Sequence, residues 1–355
     1  MRVAIYTPYL DTVGGGEKYM LTIASILSKT TSVDILLDTH LRSLDINQIK
    51  ARIQNLHQID LSGCRFLSAP FGPGSSNPAR LIFLAKYDYL FYLTDGSIFF
   101  STAKNNILHF QVPFTNLNFK SIQSRIKLSS WQQAIYNSKF TQEIIEKSLK
   151  IKGSVVYPPI DIKKYSSSLK KKQIISVGRF VSFTKSKKHE ILIDSFISIS
   201  KKLPGWSLHL AGGAGEGDNE YVESLRKRAK GSPVQFYPNI KIEDLITLYS
   251  ESSLYWHAAG YGEVAPEKFE HFGITTVEAM ASGCVPVVIN LGGQPEIVDH
   301  ERNGYLWNTL EELEQYTLKL AGKSNLLKEF SKESITKAKV FDQSVFEAKI
   351  KGIIK

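Results

Sequence analysis

Two carboxylates and the small residues around them are the groups best placed to do chemistry. Glu270 and Glu278 stand with seven residues between them in the run EHFGITTVEAMASGCVPVVI, residues 270–289. The run reads as a loop, then a helix starting near Ile274 or Thr275 with Thr275 or Thr276 as its cap, a break at Ser282-Gly283, and an all-apolar strand over 285–289. Glu270 then lies on the loop and Glu278 about one turn into the helix. The exposed N–H groups of Gly273, Ile274 and Thr275 lie beside Glu270 at the positive end of that helix. A carboxylate accepts from hydroxyls and a helix start takes a phosphate, so the stretch can bind a polyol and a phosphate together. A nucleotide-diphosphate sugar carries both groups.

Other candidates are scattered along the chain. Gly14-Gly15-Gly16 lack side chains, so the backbone can approach a ligand closely, and the helix behind them points its positive end there. The run is neither a P-loop nor G-x-G-x-x-G, and taken alone it fits a plain turn as well as a phosphate site. Arg179 follows a predicted strand and can chelate phosphate oxygens bidentately. Lys185, Lys187 and Lys188 follow it in a basic loop that could equally be a solvated face. His109 ends a predicted strand, where a lone histidine is more often structural than functional.

Positioning these groups requires two repeats of one pattern. A strand over 2–7, the glycine turn and a helix over 17–28 open a doubly wound α/β sheet. Further strands are expected over 33–37, 87–93, 106–110, 133–136 and 154–157. Pro158-Pro159 stops strand pairing, and the polar residues 166–172 make a plausible hinge. The pattern restarts with strands over 173–177, 207–211, 234–237, 253–257 and 304–307 and helices over 190–200 and 243–250. The expected division is 1–165, 166–338, and a C-terminal helical segment 339–355. The polar loop 258–269 before Glu270 is longer than a turn needs and reads either as part of a pocket or as a surface insertion.

The run from Glu270 to Glu278, continued by AMASGCVPVV and by Gly292-Gly293 with Pro295-Glu296-Ile297-Val298, resembles the E-x7-E signature of the retaining glycosyltransferases of family 4. Asn137-Ser138-Lys139-Phe140-Thr141 and VVYPPID at 155–161 resemble that family's NSxFT helix start and its VVYPPVD linker. The likeness runs from GGGE to the last helix and is weakest over 39–76. It implies the GT-B fold: two Rossmann-like domains facing a cleft, the first for the acceptor and the second for the nucleotide-sugar donor, with the last helix crossing back to the first. It also implies roles. Gly15 and Gly16 would lie over the donor diphosphate, and His109 near the donor hexose. Arg179 and Lys187 would clamp the diphosphate in the manner of the family's GRxxxxKG element, counting back from Phe196; the loop is three residues longer than that pattern, which leaves Lys185 and Lys188 as competitors. Glu270, with Gly273, Ile274 and Thr275, would hold hexose and phosphate, as a binding group and not a nucleophile. Glu278 would bind ribose. The family implies hexose transfer with retention and without a metal, consistent with the absence of a D-x-D motif. The wording of the motifs leans toward GDP-mannose and toward a glycan or lipid-linked acceptor.

Composition sets the limits. The 355 residues suit two domains, and 43% apolar with 22% charged residues is a globular composition. Cys64 and Cys284 give neither a disulfide framework nor metal-ligand spacing. The N-terminus begins a strand at once, so a cytoplasmic location is expected, peripheral on the inner membrane face if the acceptor is lipid-linked. Of the net charge of +10, residues 118–172 carry +9, from twelve Lys or Arg against three acids. Within that stretch, 117–131 sets Phe119, Ile122 and Ile126 apart from Lys120, Arg125 and Lys127, either to lie in an anionic membrane interface or to pack on the sheet with a solvated basic face. A nucleotide-sugar epimerase would need further carboxylates over the sugar. A non-catalytic nucleotide-sugar-binding protein remains an alternative. Nucleic acid is not expected as a partner, because Glu270, Glu278 and the glycine turns would then share no purpose.

Overall fold

Near-continuous apolar runs such as Val3-Ala4-Ile5 and Val285–Ile289 are stable only as strands covered on both faces, which is the environment of a parallel sheet. A computed structural model, describing residues 1–12, 14–43, 45–72 and 74–354, contains two such sheets. Lys355, the end of the expected C-terminal segment, lies outside the described residues. The chain divides into a unit of Met1–Pro159 with Ser344–Lys355 and a unit of Ile160–Gln343.

In the first unit the strands are β1 (Arg2–Tyr6), β2 (Ser32–Leu37), β3 (Cys64–Ser68), β4 (Tyr89–Leu93), β5 (Asn105–Phe110), β6 (Gln133–Tyr136) and β7 (Gly153–Val155). They form one parallel sheet in the order β3-β2-β1-β4-β5-β6-β7. The order reverses between β1 and β4, and ligands of doubly wound sheets collect at the carboxyl ends of the strands at that point. The second unit has β8 (Lys171–Val177), β9 (Ser207–Gly212), β10 (Val234–Pro238), β11 (Ser252–His257), β12 (Val285–Ile289) and β13 (Tyr305–Trp307) in the order β10-β9-β8-β11-β12-β13. Its reversal lies between β8 and β11, so Arg179, two residues beyond β8, and His257, the last residue of β11, start from adjacent strands.

Two Rossmann-like domains were expected and two are present. The boundaries differ from 165 and 338: the chain leaves the first unit after Pro159 and returns at Ser344. Ile160 forms a bridge with Asp342 and accepts from the Gln343 N–H at 2.9 Å, so the outgoing and returning chains are tied side by side within the second unit. The helix Gln343–Ile353 then joins the core of the first, burying Phe346 and Ile350 among Val3, Tyr19 and Met20. Phe346 meets the Tyr19 ring edge-on at 4.9 Å between centroids.

Sequence reasoning missed β3 and the helix Ile46–His57 before it. β3 is an edge strand with only Cys64 buried, and a strand with solvent on most sides shows no apolar alternation to read.

Phe346→Ala should leave a cavity between the returning helix and the first sheet and cost about 3 kcal/mol. Hydrogen exchange of the β1 amides should accelerate to match, with β8 and β12 unchanged; equal acceleration in both sheets would contradict the assignment of this helix to the first unit.

Candidate functional site

In the second unit β8 runs into Gly178-Arg179-Phe180. Phe180 is buried in the core, which turns Arg179 outward. Arg179 makes no hydrogen bond or ion pair among the described residues. Beyond it the long basic loop returns to the helix His189–Ile199. The Lys187 stem lies directly on Gly178, where a Cβ would stand 2.6 Å from Lys187 Cγ. Gly178 therefore opens the path along which Lys187 reaches over the sheet edge.

Lys187 Nζ ends 2.5 Å from Glu270 Oε2, and His257 Nε2 lies 3.1 Å from the same oxygen. Burial alone would push the Glu270 carboxyl up; the charge of Lys187 and the hydrogen bond from His257 outweigh it and hold the group well below the usual carboxylate range. Burial pushes His257 down, so its ring is neutral and Nε2 carries the proton it donates to Glu270. The buried Nδ1 has no partner among the described residues.

The backbone around Glu270 is clamped by glycines. Gly293 N–H donates to Glu270 O at 2.8 Å, and at Gly292, with φ of +63°, a Cβ would stand 2.2 Å from that oxygen. Gly273, with φ of +120°, is the N-cap of the helix Ile274–Ala281. The expected caps Thr275 and Thr276 are inside that helix instead: Thr275 Oγ1 pairs with Tyr255 Oη at 2.8 Å and Thr276 Oγ1 donates to Gln294 Oε1 at 3.0 Å. With no side chain capping them, the first N–H groups of the helix, Ile274 and Thr275 among them, are open.

Arg179, Lys187, Lys188 and Glu270 line one cavity of about 800 Å³. The three competing lysines separate: Lys187 reaches Glu270, Lys188 pairs with Glu263 at 2.6 Å, and Lys185 turns away to Glu190 at 3.1 Å. Glu263, Glu267, Lys268 and Phe269 of the loop 258–269 also line the cavity, which settles that loop as pocket wall. Glu278 is not part of this lining. It is half-buried further along the helix, where Tyr249 Oη donates to its Oε2 at 3.2 Å and the Tyr165 hydroxyl stands beside it. His257 and the two tyrosines escaped sequence reasoning. The signal available was position, since His257 ends a strand at the reversal point.

The first unit brings Gly15, Gly16 and His109 together through a residue that was not singled out, Gln111. The amide of Gln111 is 3.0 Å from His109 Nε2, and its side chain lies against Gly15 and Gly16, which start the helix Gly15–Ser28. His109 itself is fully buried, stacked on Tyr19 at 3.9 Å with Nδ1 donating to Ile135 O at 3.2 Å, and burial pushes its pKa down to about 4. It is a neutral ring that fixes Gln111 at the sheet edge. Glu17 braces the glycine turn, accepting from Gly14 N–H at 2.9 Å and from the Thr7 and Thr12 hydroxyls at 3.2 and 3.1 Å.

Comparison with known proteins places the chain in a family. The model of the family described as glycosyl transferases group 1 matches residues 159–337. The chain is 27% identical over 75% of its length to the GDP-Man:Man(3)GlcNAc(2)-PP-Dol alpha-1,2-mannosyltransferase of Dictyostelium discoideum, and that match covers 58% of the relative. It is 30% identical over 37% of its length to the mannosylfructose-phosphate synthase of Agrobacterium fabrum, covering 28% of that protein. The chain thus spans little more than half of the first relative's length and less of the second's. The crystal structure of Anabaena HepE in complex with UDP and glucose shares the fold over 100% of this chain and 99% of its own, with TM-score 0.71 and 20% identity.

Lys187→Met should leave Glu270 buried without its cation, raising its pKa and destabilising the fold at neutral pH by about 2 kcal/mol. A depressed carboxyl contributes stability above its unfolded pKa of about 4.3 and loses it as pH falls through the lower folded value. The gap between wild type and variant should therefore be widest near neutrality and close in acid. Denaturant titrations across pH measure it, and a gap that widens in acid would contradict the assignment.

Proposed function

The chain belongs to the glycosyl transferases of group 1, and on that premise we propose that it moves a hexose, mannose from GDP-mannose, to a hydroxyl of a glycan or lipid-linked acceptor, with retention and without a metal. The observation that carries the reading is the pairing of Lys187 with Glu270 beside the unpaired Arg179 in one cavity, with buried His257 holding Glu270 from behind. The donor diphosphate sits between Arg179 and Lys187, two cations that take the charge a metal would otherwise neutralise. Lys187 turns from Glu270 to phosphate, which releases Glu270 to accept from hexose hydroxyls. The open N–H groups of Gly273, Ile274 and Thr275 add their dipoles beside the phosphate. Glu278 exchanges its tyrosine partners for the ribose hydroxyls.

In the transfer itself the bond from the anomeric carbon to the phosphate oxygen breaks and a bond from that carbon to the acceptor oxygen forms on the same face. The acceptor proton passes to the departing phosphate, so Glu270 stays a binding group and no covalent intermediate forms on it. In the first unit Gln111, held by His109, stands against Gly15 and Gly16 at the start of the helix Gly15–Ser28. The mannose preference is supported by the names of the first relatives. Work on the cytoplasmic side of a membrane, at its inner face, follows from a GDP-sugar donor and a lipid-linked acceptor and belongs to the same proposal.

A thermal-shift screen against GDP, UDP, ADP and their sugar conjugates tests it. GDP-mannose should raise the melting temperature most, because a ligand bound only by the folded state stabilises it. The shift should survive a metal chelator and vanish in Glu278→Ala. A uniform lack of response, or full response in that variant, would contradict the donor site.

A further inference from the structure

Glu278 stands about one turn into the helix Ile274–Ala281, past the open N–H groups that start it, and it faces two phenols. Tyr249, in the last turn of the helix Ile242–Glu251, donates to its Oε2 at 3.2 Å. The Tyr165 hydroxyl donates to the same carboxylate, and the two tyrosine rings meet edge-on at 6.1 Å between centroids. Burial and the carboxylate push both hydroxyls up from the usual phenol range, so each keeps its proton and acts as a hydrogen-bond donor at neutral pH.

The two phenols are held differently. Tyr249 is fully buried, so its ring stays in place and its hydroxyl can only turn about the C–O bond. Tyr165 is half-buried. Its N–H donates to Ile162 O at 3.1 Å, closing the turn Ile162–Lys164, and Ile160 ahead of that turn is bridged to Asp342, so the backbone that carries Tyr165 is fixed. Residues 166–169 beyond it are exposed, which leaves the phenol at the border between the carboxylate and solvent. Of the two partners, Tyr165 is the one a ligand arriving at Glu278 would meet.

A phenol that gives up its acceptor is left unfavourably unpaired unless another oxygen takes its proton. A ribose hydroxyl is donor and acceptor at once, so while it donates to Glu278 its own oxygen lies open to the group it has displaced. We propose that Tyr165 is a further ligand of the nucleoside: when the nucleotide sugar binds, the phenol passes from Glu278 to the oxygen of one ribose hydroxyl, and this pairing selects ribonucleotide sugars over deoxyribonucleotide sugars. That hydroxyl makes two bonds, one to Glu278 and one from Tyr165, and its removal from the ligand loses both. The proposal rests on the transferase reading for the role of Glu278 and narrows the class of nucleotide that the site accepts.

Calorimetric titration of the full chain with GDP and UDP, each beside its 2′-deoxy and 3′-deoxy analogue, tests it. For the nucleotide that wild type prefers, at least one deoxy analogue should bind about ten-fold or more weakly than the ribonucleotide. Tyr165→Phe keeps the ring and removes only the hydroxyl. It should lose about five-fold in affinity for the ribonucleotide and show no loss for that analogue, because the bond in question is then already missing. Equal losses for all three ligands would mean that the hydroxyl is merely structural, and a gain for the ribonucleotide would make it a competitor for Glu278; either result overturns the proposal, as does a wild type that binds ribonucleotide and both analogues alike. Nucleotide binding that Glu278→Ala abolishes and Tyr165→Phe leaves untouched would remove Tyr165 and keep the transferase reading, whereas no binding of either nucleotide would overturn both.

Discussion

One largely buried carboxylate, Glu270, with 21% of its side chain exposed, organises the second unit. Taking Glu270 out of water is unfavourable unless the charge is met, and it is met twice on one oxygen, by Lys187 and by His257. Each partner makes a demand on the fold. Lys187 reaches the carboxylate because residue 178 has no side chain, and His257 reaches it because β11 lies next to β8. The loop bearing Glu270 is fixed because Gly292 and Gly293 let a second loop close on its backbone. The resulting pair is neutral as a whole yet separable, since Lys187 remains about a quarter exposed. An anionic ligand can take over the lysine and leave a carboxylate ready to accept hydroxyls.

The first unit holds its candidate groups with neutral or internally paired side chains. His109 is kept uncharged by burial and passes its order to Gln111, while Glu17 spends its carboxylate on the turn that presents Gly15 and Gly16. The charged groups that line a cavity of the first unit, Arg80, Asp95 and Lys127, lie on elements outside the turn.

Much of this was legible beforehand. The buried strands announce themselves as apolar runs, and the Rossmann repeat follows from strand, small-residue turn and helix recurring after a proline break. Glu270, Arg179 and the group of lysines at 185–188 could be singled out by the spacing of Glu270 and Glu278 and by their likeness to the E-x7-E and GRxxxxKG elements. What stayed hidden is what periodicity does not encode. His257 looks like the last residue of a core strand, and only the adjacency of β11 and β8 gives it a partner. Lys187 could not be told from Lys185 and Lys188 until Gly178 was seen to make room for one stem. Thr275 and Thr276 resembled helix caps by type, but Gly273 takes the cap with a backbone angle that the sequence does not display. The segment 117–131 left two readings open, and the depth of Trp131 against the exposure of Ile122 and Ile126 decided how it is anchored.

The claim at the centre is that Arg179 and Lys187 jointly hold a nucleoside diphosphate at the Glu270 cavity. Calorimetric titration of wild type, Arg179→Ala, Lys187→Met and the double variant with GDP tests it most directly. The expected result is a loss of about ten-fold or more in affinity for each single variant and a combined loss that departs from the product of the two, because both cations contact one ligand. Full-strength binding by the double variant would contradict the claim and place the diphosphate elsewhere.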